Sequence, residues 1–255
     1  VIDLSGKTIL VTGASRGIGA VTAQTLARCG ARVVAHYGRS RNEVESIAES
    51  IWLDGRGSCV LVQADLSVPG AGFRLWQDAL EITDEVHVLV NNAGIIRVVG
   101  LDHPEPEWHD AWWDTLQVNL MAVADLCRAA IPAMTARGGG VIINLASRGG
   151  QRGTTLESMH YAASKAGVMA LTKTIARQCA RHGILAYTIA PGYVQSEMAD
   201  QTIDVYGLET IVRDIPMGSI APPEDVANTI AFLAAGLAPH MTGATLDING
   251  ASYVR

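Results

Sequence analysis

Four side chains in the middle of the chain have types and spacings that could move a proton: Asn119, Ser147, Tyr161 and Lys165. Tyr161 and Lys165 stand at i and i+4, neighbours on one face of a helix. A free tyrosine has a pKa of about 10 and is a poor proton donor or acceptor near neutrality. A neighbouring ammonium favours the phenolate and draws that pKa down, as general acid–base work at neutral pH requires. Ser147 closes an apolar run and can donate a hydrogen bond to a substrate oxygen. Asn119 falls inside a long helical pattern, where asparagine is not chosen for helix propensity. Its side chain, or a distorted backbone around it, could hold a water that relays protons to Lys165. A Tyr-x3-Lys pair alone arises often by chance on amphipathic helices, so the elements that hold these residues decide its weight.

The earliest such element is Thr12-Gly13-Ala14-Ser15-Arg16-Gly17-Ile18-Gly19, which follows the apolar run Thr8-Ile9-Leu10-Val11. It reads as strand, glycine turn, and a helix beginning near Gly17. Without Cβ atoms, Gly13, Gly17 and Gly19 let the backbone turn sharply, admit a pyrophosphate, and bring helix and strand together. The helix start adds unpaired N–H donors and a partial positive charge. The spacing is Gly-x3-Gly-x-Gly rather than Gly-x-Gly-x-x-Gly.

Strand-like runs alternate with helical patterns along the whole chain. Strands are expected at residues 7–12, 31–36, 58–63, 86–90, 141–145, 184–190 and 244–248. Helices are expected from Gly17 to Cys29 and at 41–53, 70–83, 108–136, 159–181 and 224–235, with an irregular stretch at 193–217. Uninterrupted apolar strands suit a parallel sheet covered on both faces. The expectation is a single α/β domain over residues 1–255, a doubly wound parallel sheet of seven strands. Ligands then bind beyond the carboxyl ends of the strands, where Gly13, Asp65, Asn91, Ser147 and Pro191 all fall.

Bulk properties narrow the function. With 255 residues, 49% hydrophobic and 17% charged, the chain can bury a large core and is too apolar for disorder. A net charge of -6 gives no general attraction for nucleic acid or anionic membrane. Cys29, Cys59, Cys127 and Cys179 form no CxxC pair, and the seven histidines no ligand spacing, so neither disulfides nor a metal site is expected. No signal peptide and no apolar run of membrane-spanning length is visible, which makes a cytoplasmic protein the default expectation.

Taken together, the chain resembles the classical short-chain dehydrogenases/reductases over essentially its full length, most nearly the 3-oxoacyl-(acyl-carrier-protein) reductase-like members. The residues that carry the resemblance are Thr12 to Gly19, Asn91-Asn92-Ala93-Gly94, Asn119, Ser147, Tyr161-x3-Lys165 and Pro191-Gly192. The resemblance implies a Rossmann fold, a nicotinamide cofactor, and hydride transfer between it and a carbonyl or alcohol. It makes Tyr161 the general acid/base, Ser147 the holder of the substrate oxygen, and Asn119 a support of the proton relay. Lys165 would bind the nicotinamide ribose and, together with the cationic nicotinamide ring, depress the Tyr161 pKa. Gly13, Ser15, Arg16, Gly17, Ile18 and Gly19 would cradle the cofactor, with Asn92, Ala93, Gly94, Pro191, Gly192 and Val194 lining it and Asp65-Leu66 flanking the adenine. Ser147 lies one residue further from Tyr161 than in many relatives.

Cofactor preference is read at the end of the second strand. NAD-specific sites place there an acidic residue that binds the ribose hydroxyls and repels a 2′-phosphate. This chain has Tyr37 at that position, followed by Gly38-Arg39-Ser40, with no carboxylate before Glu43. Arg39 and Arg16 can face a phosphate, and Ser40 can add a hydroxyl. NADP(H) is therefore expected over NAD(H).

Other residues read more plainly. His160 points about 100° away from Tyr161 around the helix and suits a structural or rim role. Trp108, Trp112 and Trp113 suit packing, and Arg152 and Glu157 solvated loop positions. The resemblance places a substrate lid at residues 194–217, whose apolar members include Met198, Tyr206, Leu208, Ile211 and Met217. It also implies a homotetramer, paired through the long helix, the 159–175 helix and the C-terminal tail. The substrate expected is a 3-oxoacyl thioester or small ketone, with polyol or sugar oxidation and a catalytically silent NADP sensor as rivals.

Overall fold

A computed structural model describes residues 2–254, with the side chains of Gln201 and Tyr206 outside the described residues. The strands are β1 (Thr8–Val11), β2 (Arg32–Tyr37), β3 (Ser58–Gln63), β4 (Val88–Asn91), β5 (Gly140–Leu145), β6 (Ile184–Pro191) and β7 (Thr245–Ile248). All neighbours pair in parallel, in the order β3-β2-β1-β4-β5-β6-β7. The chain winds outward from β1 through β2 to β3, then returns to place β4 on the other side of β1. That reversal opens a crevice at the carboxyl ends of β1 and β4.

Strand alternation divides the core into two layers. Ile9, Val11, Val33 and Ala35 face the side covered by α1 (Gly17–Arg28), α2 (Arg41–Asp54) and α10 (Pro223–Ala235). Leu10, Val34, Leu89 and Ile142 face α3 (Ala71–Thr83), α5 (Ala122–Ala136) and α7 (Met159–Cys179). Leu10, Leu89 and Ile142 are fully buried, each contributing roughly 1.5–3 kcal/mol of hydrophobic stabilisation. Because both faces are covered, Ile9, Leu10 and Val11 of β1 form an unbroken apolar run.

The expected long helix begins earlier than its apolar pattern. α4 (Glu105–Leu116) starts with Pro106 in its first turn and Glu105 and Glu107 beside the positive helix end, which favour that start. A π turn, Gln117–Met121, joins it to α5. From Glu105 to Ala136 this helical segment is long and apolar enough, by length and composition, to cross a membrane, although no uninterrupted apolar run of that length appears in the sequence. Half of its most apolar window is buried, and it packs on α3 and α7.

The stretch expected to be irregular is largely helical. Ser196 caps α8 (Glu197–Tyr206) by accepting the Ala199 N–H at 3.3 Å. Gly207, at φ 78°, separates it from α9 (Leu208–Arg213). Between β5 and α7 lie a single turn, α6 (Gly149–Arg152), and a 3-10 turn, Leu156–Ser158. All four cysteines are free; burial pushes the Cys59 thiol up to about 11 and Cys127 to about 12, as expected for inert thiols.

Candidate active site

At the crevice, Gly13 adopts φ +67° and Gly17 φ +51°, the left-handed region that a side chain would strain. A Cβ on Gly19 would collide with the Gly13 carbonyl and lie 2.6 Å from Asn92 Nδ2. The turn is tied to β4 by Thr12, whose Oγ1 accepts the N–H of Asn92 at 2.9 Å and of Ala93 at 3.0 Å. In return, Asn92 Nδ2 donates to the carbonyls of Thr12 at 2.8 Å and Gly13 at 3.1 Å. The N-terminus of α1 carries neither a side-chain cap nor an acidic residue in its first turn. Ser15, Arg16 and Gly17 thus frame a helix start left open to an anion, and Ile18 packs inward against the core. A cradle that excludes Cβ atoms and an uncapped helix start fit the diphosphate of a dinucleotide.

The four proton-handling residues converge beyond β4 and β5. Lys165 is 4% exposed, and its Nζ donates to the Leu145 carbonyl at 2.9 Å. Burial draws the Lys165 pKa down to about 8. Asn119 is fully buried in the π turn, where Nδ2 donates to the Ile95 carbonyl at 2.9 Å and to Ser164 Oγ at 3.2 Å. A Cβ on Gly94 would stand 3.3 Å from both Asn119 Oδ1 and Lys165 Nζ, so that glycine admits the β4 loop against them. Ser147 Oγ accepts the Gly149 N–H at 3.0 Å and is hydrogen-bonded to Tyr161.

The protein's own groups do not, on balance, lower the Tyr161 pKa. Burial raises the Tyr161 pKa, and its bond with Ser147 opposes this in part. The ammonium does not reverse the balance, because Lys165 Nζ sits 5.7 Å from the phenol ring centroid and is turned toward Leu145.

At the adenosine end, Arg39 is exposed and lies 3.7 Å from Asp65. Asp65 accepts the Ser67 hydroxyl at 2.6 Å and N–H at 3.0 Å, which holds its carboxyl below the usual range. Ser40 stands at the start of α2 without capping it. Tyr37 is corrected: its side chain is turned into the core and is 5% exposed, so this position contributes the lack of a carboxylate rather than a contact. Leu66 is likewise buried.

The far wall joins β6 to the expected lid. Gly192 lies close to Asn249, and Val194 is buried. Arg16 reaches α8 and pairs with Glu197 at 2.7 Å. Arg148 and Arg152 both hold Asp214, at 3.2 and 2.7 Å, just after α9. Arg152 is solvent-exposed as expected but also paired, and it bonds the Ser252 carbonyl at 3.1 Å. Arg148 stacks over Tyr193 at 5.2 Å, beside a cavity of about 630 Å³ lined in part by Tyr193, Ile215, Met217 and Tyr253. His160 is fully buried with its ring 5.8 Å from Trp112, in a packing role, and Trp108 packs on Trp112. Trp113 is exposed instead. Sequence reasoning missed Thr12 as the tie to β4, Arg148 and Asp214, whose partners are distant in the chain.

A crevice at the switch point of a parallel sheet, opening toward a buried lysine and a phenol, defines a dinucleotide-dependent oxidoreductase. The chain belongs to the short-chain dehydrogenase family, whose model matches residues 7–206. It acts on CH–OH or carbonyl groups. Its relatives include the 3-oxoacyl-(acyl-carrier-protein) reductase of Staphylococcus aureus strain Mu50, 36% identical over 249 residues, covering 97% of this chain and 98% of the relative. The Escherichia coli K12 protein of that name is 34% identical over 253 residues, covering 99% and 100%. Among solved structures, a 3-oxoacyl-(acyl-carrier-protein) reductase from Agrobacterium tumefaciens C58 with NADP bound superposes with a TM-score of 0.90, at 33% identity over 98% of this chain and 95% of that one. A Beutenbergia cavernae protein assigned as an NAD(P)-dependent gluconate 5-dehydrogenase, with NADP bound at low occupancy, gives 0.89, at 37% identity over 98% and 97%.

Proposed function

We propose that this protein is an NADPH-dependent 3-oxoacyl reductase, converting a 3-oxoacyl thioester to its 3-hydroxy form. The observation that carries this reading is the Tyr161–Ser147–Lys165–Asn119 constellation, with Lys165 and Asn119 buried behind a partly exposed Tyr161 and Ser147, in a chain whose curated relatives bear that reductase name over nearly their whole length. NADPH is assigned because β2 ends without a carboxylate and Arg39 and Arg16 stand at the adenosine end. Polyol or sugar oxidation is the less favoured reading.

A bound nicotinamide supplies the hydride that the carbonyl carbon accepts. Ser147 donates a hydrogen bond to the carbonyl oxygen, and Tyr161 transfers its phenolic proton to that oxygen. The Lys165 ammonium stabilises the phenolate left behind. Asn119 acts through the π turn: its side chain is occupied, so the distorted backbone is the part free to hold a relay water. Gly13, Ser15, Gly17, Ile18 and Gly19 hold the diphosphate, Asp65 and Leu66 flank the adenine, and Asn92, Ala93, Gly94, Pro191, Gly192 and Val194 line the cofactor's inner side.

Residues 1–255 act as one domain, with 194–217 as the substrate lid anchored through Asp214. The protein is proposed to work in the cytoplasm as a homotetramer, without nucleic-acid or membrane partners. The exposed Trp113 and Met121 on the long helix and the sheet-edge strand β7 support its pairing surfaces.

The test is steady-state turnover with NADPH and a 3-oxoacyl thioester, against gluconate and other polyols with NADP. Efficient ketone reduction is expected; polyol oxidation at higher kcat/KM would overturn the assignment.

A further inference from the structure

His36 has no role in the chemistry above, yet its ring joins two loops on which cofactor binding depends. It lies near the carboxyl end of β2, between β1 and β3, and is 3% exposed. Nδ1 accepts the Gly13 N–H at 3.1 Å, and Nε2 lies 3.0 Å from the Ala64 carbonyl. Its own carbonyl accepts the Ala14 N–H at 2.8 Å, so residue 36 grips the glycine turn twice.

The partners dictate the ring's protonation. A backbone N–H only donates, so Nδ1 must be bare; a carbonyl only accepts, so Nε2 must carry the proton. The opposite tautomer would break both bonds, and the imidazolium would set two N–H groups against each other at Gly13. Burial draws the pKa down to about 4, with the Ala64 bond opposing it. The ionisable side chains on the surrounding elements are otherwise engaged. Tyr37 is turned into the core, Arg39 is paired with Asp65 at 3.7 Å, and Arg16 with Glu197 at 2.7 Å.

We propose that His36 is a positioning residue for the dinucleotide: as the neutral Nε2–H tautomer it fixes the Gly13 turn relative to the Ala64–Asp65 corner. The inference rests on the dinucleotide reading of this crevice. The diphosphate side and the adenine side are then held at one spacing by a single ring that never touches the ligand. A clamp of this kind acts on cofactor affinity in common, without regard to a 2′-phosphate.

The experiment compares the parent, His36→Phe and His36→Asn. Phe fills the site but can neither accept nor donate; Asn offers an acceptor and a donor in a shorter side chain. Dissociation constants for NADPH and NADH are measured directly by calorimetry, alongside urea midpoints and the split between KM and kcat. His36→Phe is expected to weaken both dinucleotides by a similar factor, about tenfold, with KM for cofactor rising more than kcat falls. His36→Asn should recover part of that affinity. Nitrogen NMR of the parent should report a bare Nδ1 and a protonated Nε2, a readout that survives if the variants fail to fold. Unchanged affinity in a folded His36→Phe, loss confined to NADPH, or an Nδ1–H tautomer would overturn the proposal. Failure of the parent to bind either dinucleotide would instead overturn the functional reading beneath it.

Discussion

Asn119 and Ile95 form a closed amide pair: Asn119 Oδ1 accepts the Ile95 N–H at 2.8 Å, and Nδ2 donates to the Ile95 carbonyl at 2.9 Å. The side chain mimics a strand neighbour and pins the loop after Gly94 to the π turn. Asn119→Ala leaves both part-buried Ile95 groups without that partner, and an orphaned polar group costs about 1–3 kcal/mol when water does not reach it. The variant is expected to lose about 2–4 kcal/mol by urea unfolding, with a drop in kcat as the Gly94 loop drifts from Lys165. Retention of parental stability would show that the loop finds its own partners.

Tyr161→Phe deletes the phenolic proton and keeps the ring. Loss of a general acid costs about 10²–10⁴-fold, and it should fall on kcat more than on KM. NADPH should still bind, measured by fluorescence titration. The same site sets an alkaline limit. Lys165 titrates at about 8, so its stabilising charge declines above that pH, and reduction should slow along with it. A kcat profile flat well beyond that pH would separate Lys165 from the proton step.

The parts of this molecule that were legible in the sequence are those with local causes. β3 spans Ser58–Gln63, the run anticipated, because the short apolar run Cys59–Val62 is punctuated by Gly57 and Asp65. The glycine turn and the Tyr161–Lys165 spacing are local for the same reason. The π turn is not: a carbonyl paired five residues on, as Gln117 is with Ala122, leaves no pattern in residue types. α8 and α9 are harder to read because each is short, ten and six residues, and they are separated only by Gly207. Arg152 meets Asp214 across 62 residues, and Gly13 meets His36 across 23, contacts that only the folded sheet creates. Tyr37 ends β2 where expected, but strand alternation turns its side chain into the core, which the residue type alone does not reveal.

His36 also couples stability to pH. Its pKa is depressed from 6.5 to about 4 in the folded chain, so the unfolded chain binds more protons between those values. Stability is fully present above 6.5 and declines as pH falls toward 4, by up to about 3 kcal/mol over that window. Urea midpoints measured across this range should fall in the parent. His36→Asn has no titrating ring and should lose this component of the slope; an identical slope in both proteins would assign the acid sensitivity elsewhere.

Cofactor choice turns on Arg39. Its guanidinium is 91% exposed and 3.7 Å from Asp65, an ion pair too open to hold the side chain against a stronger anion. A 2′-phosphate offers two or more oxygens in the geometry a guanidinium binds bidentately. The parent is expected to favour NADPH in kcat/KM. Arg39→Ala should lose about tenfold with NADPH, a change of about 1.4 kcal/mol, while NADH activity stays nearly constant. Tyr37 is buried and offers no carboxylate, so removing Arg39 lowers NADPH use without creating an NAD site. Arg16 supplies the remaining charge once it leaves Glu197, which is why the loss is partial. Equal losses with both cofactors would mean that Arg39 acts on the shared adenosine rather than on the phosphate, and a parent that favours NADH would remove the assignment altogether.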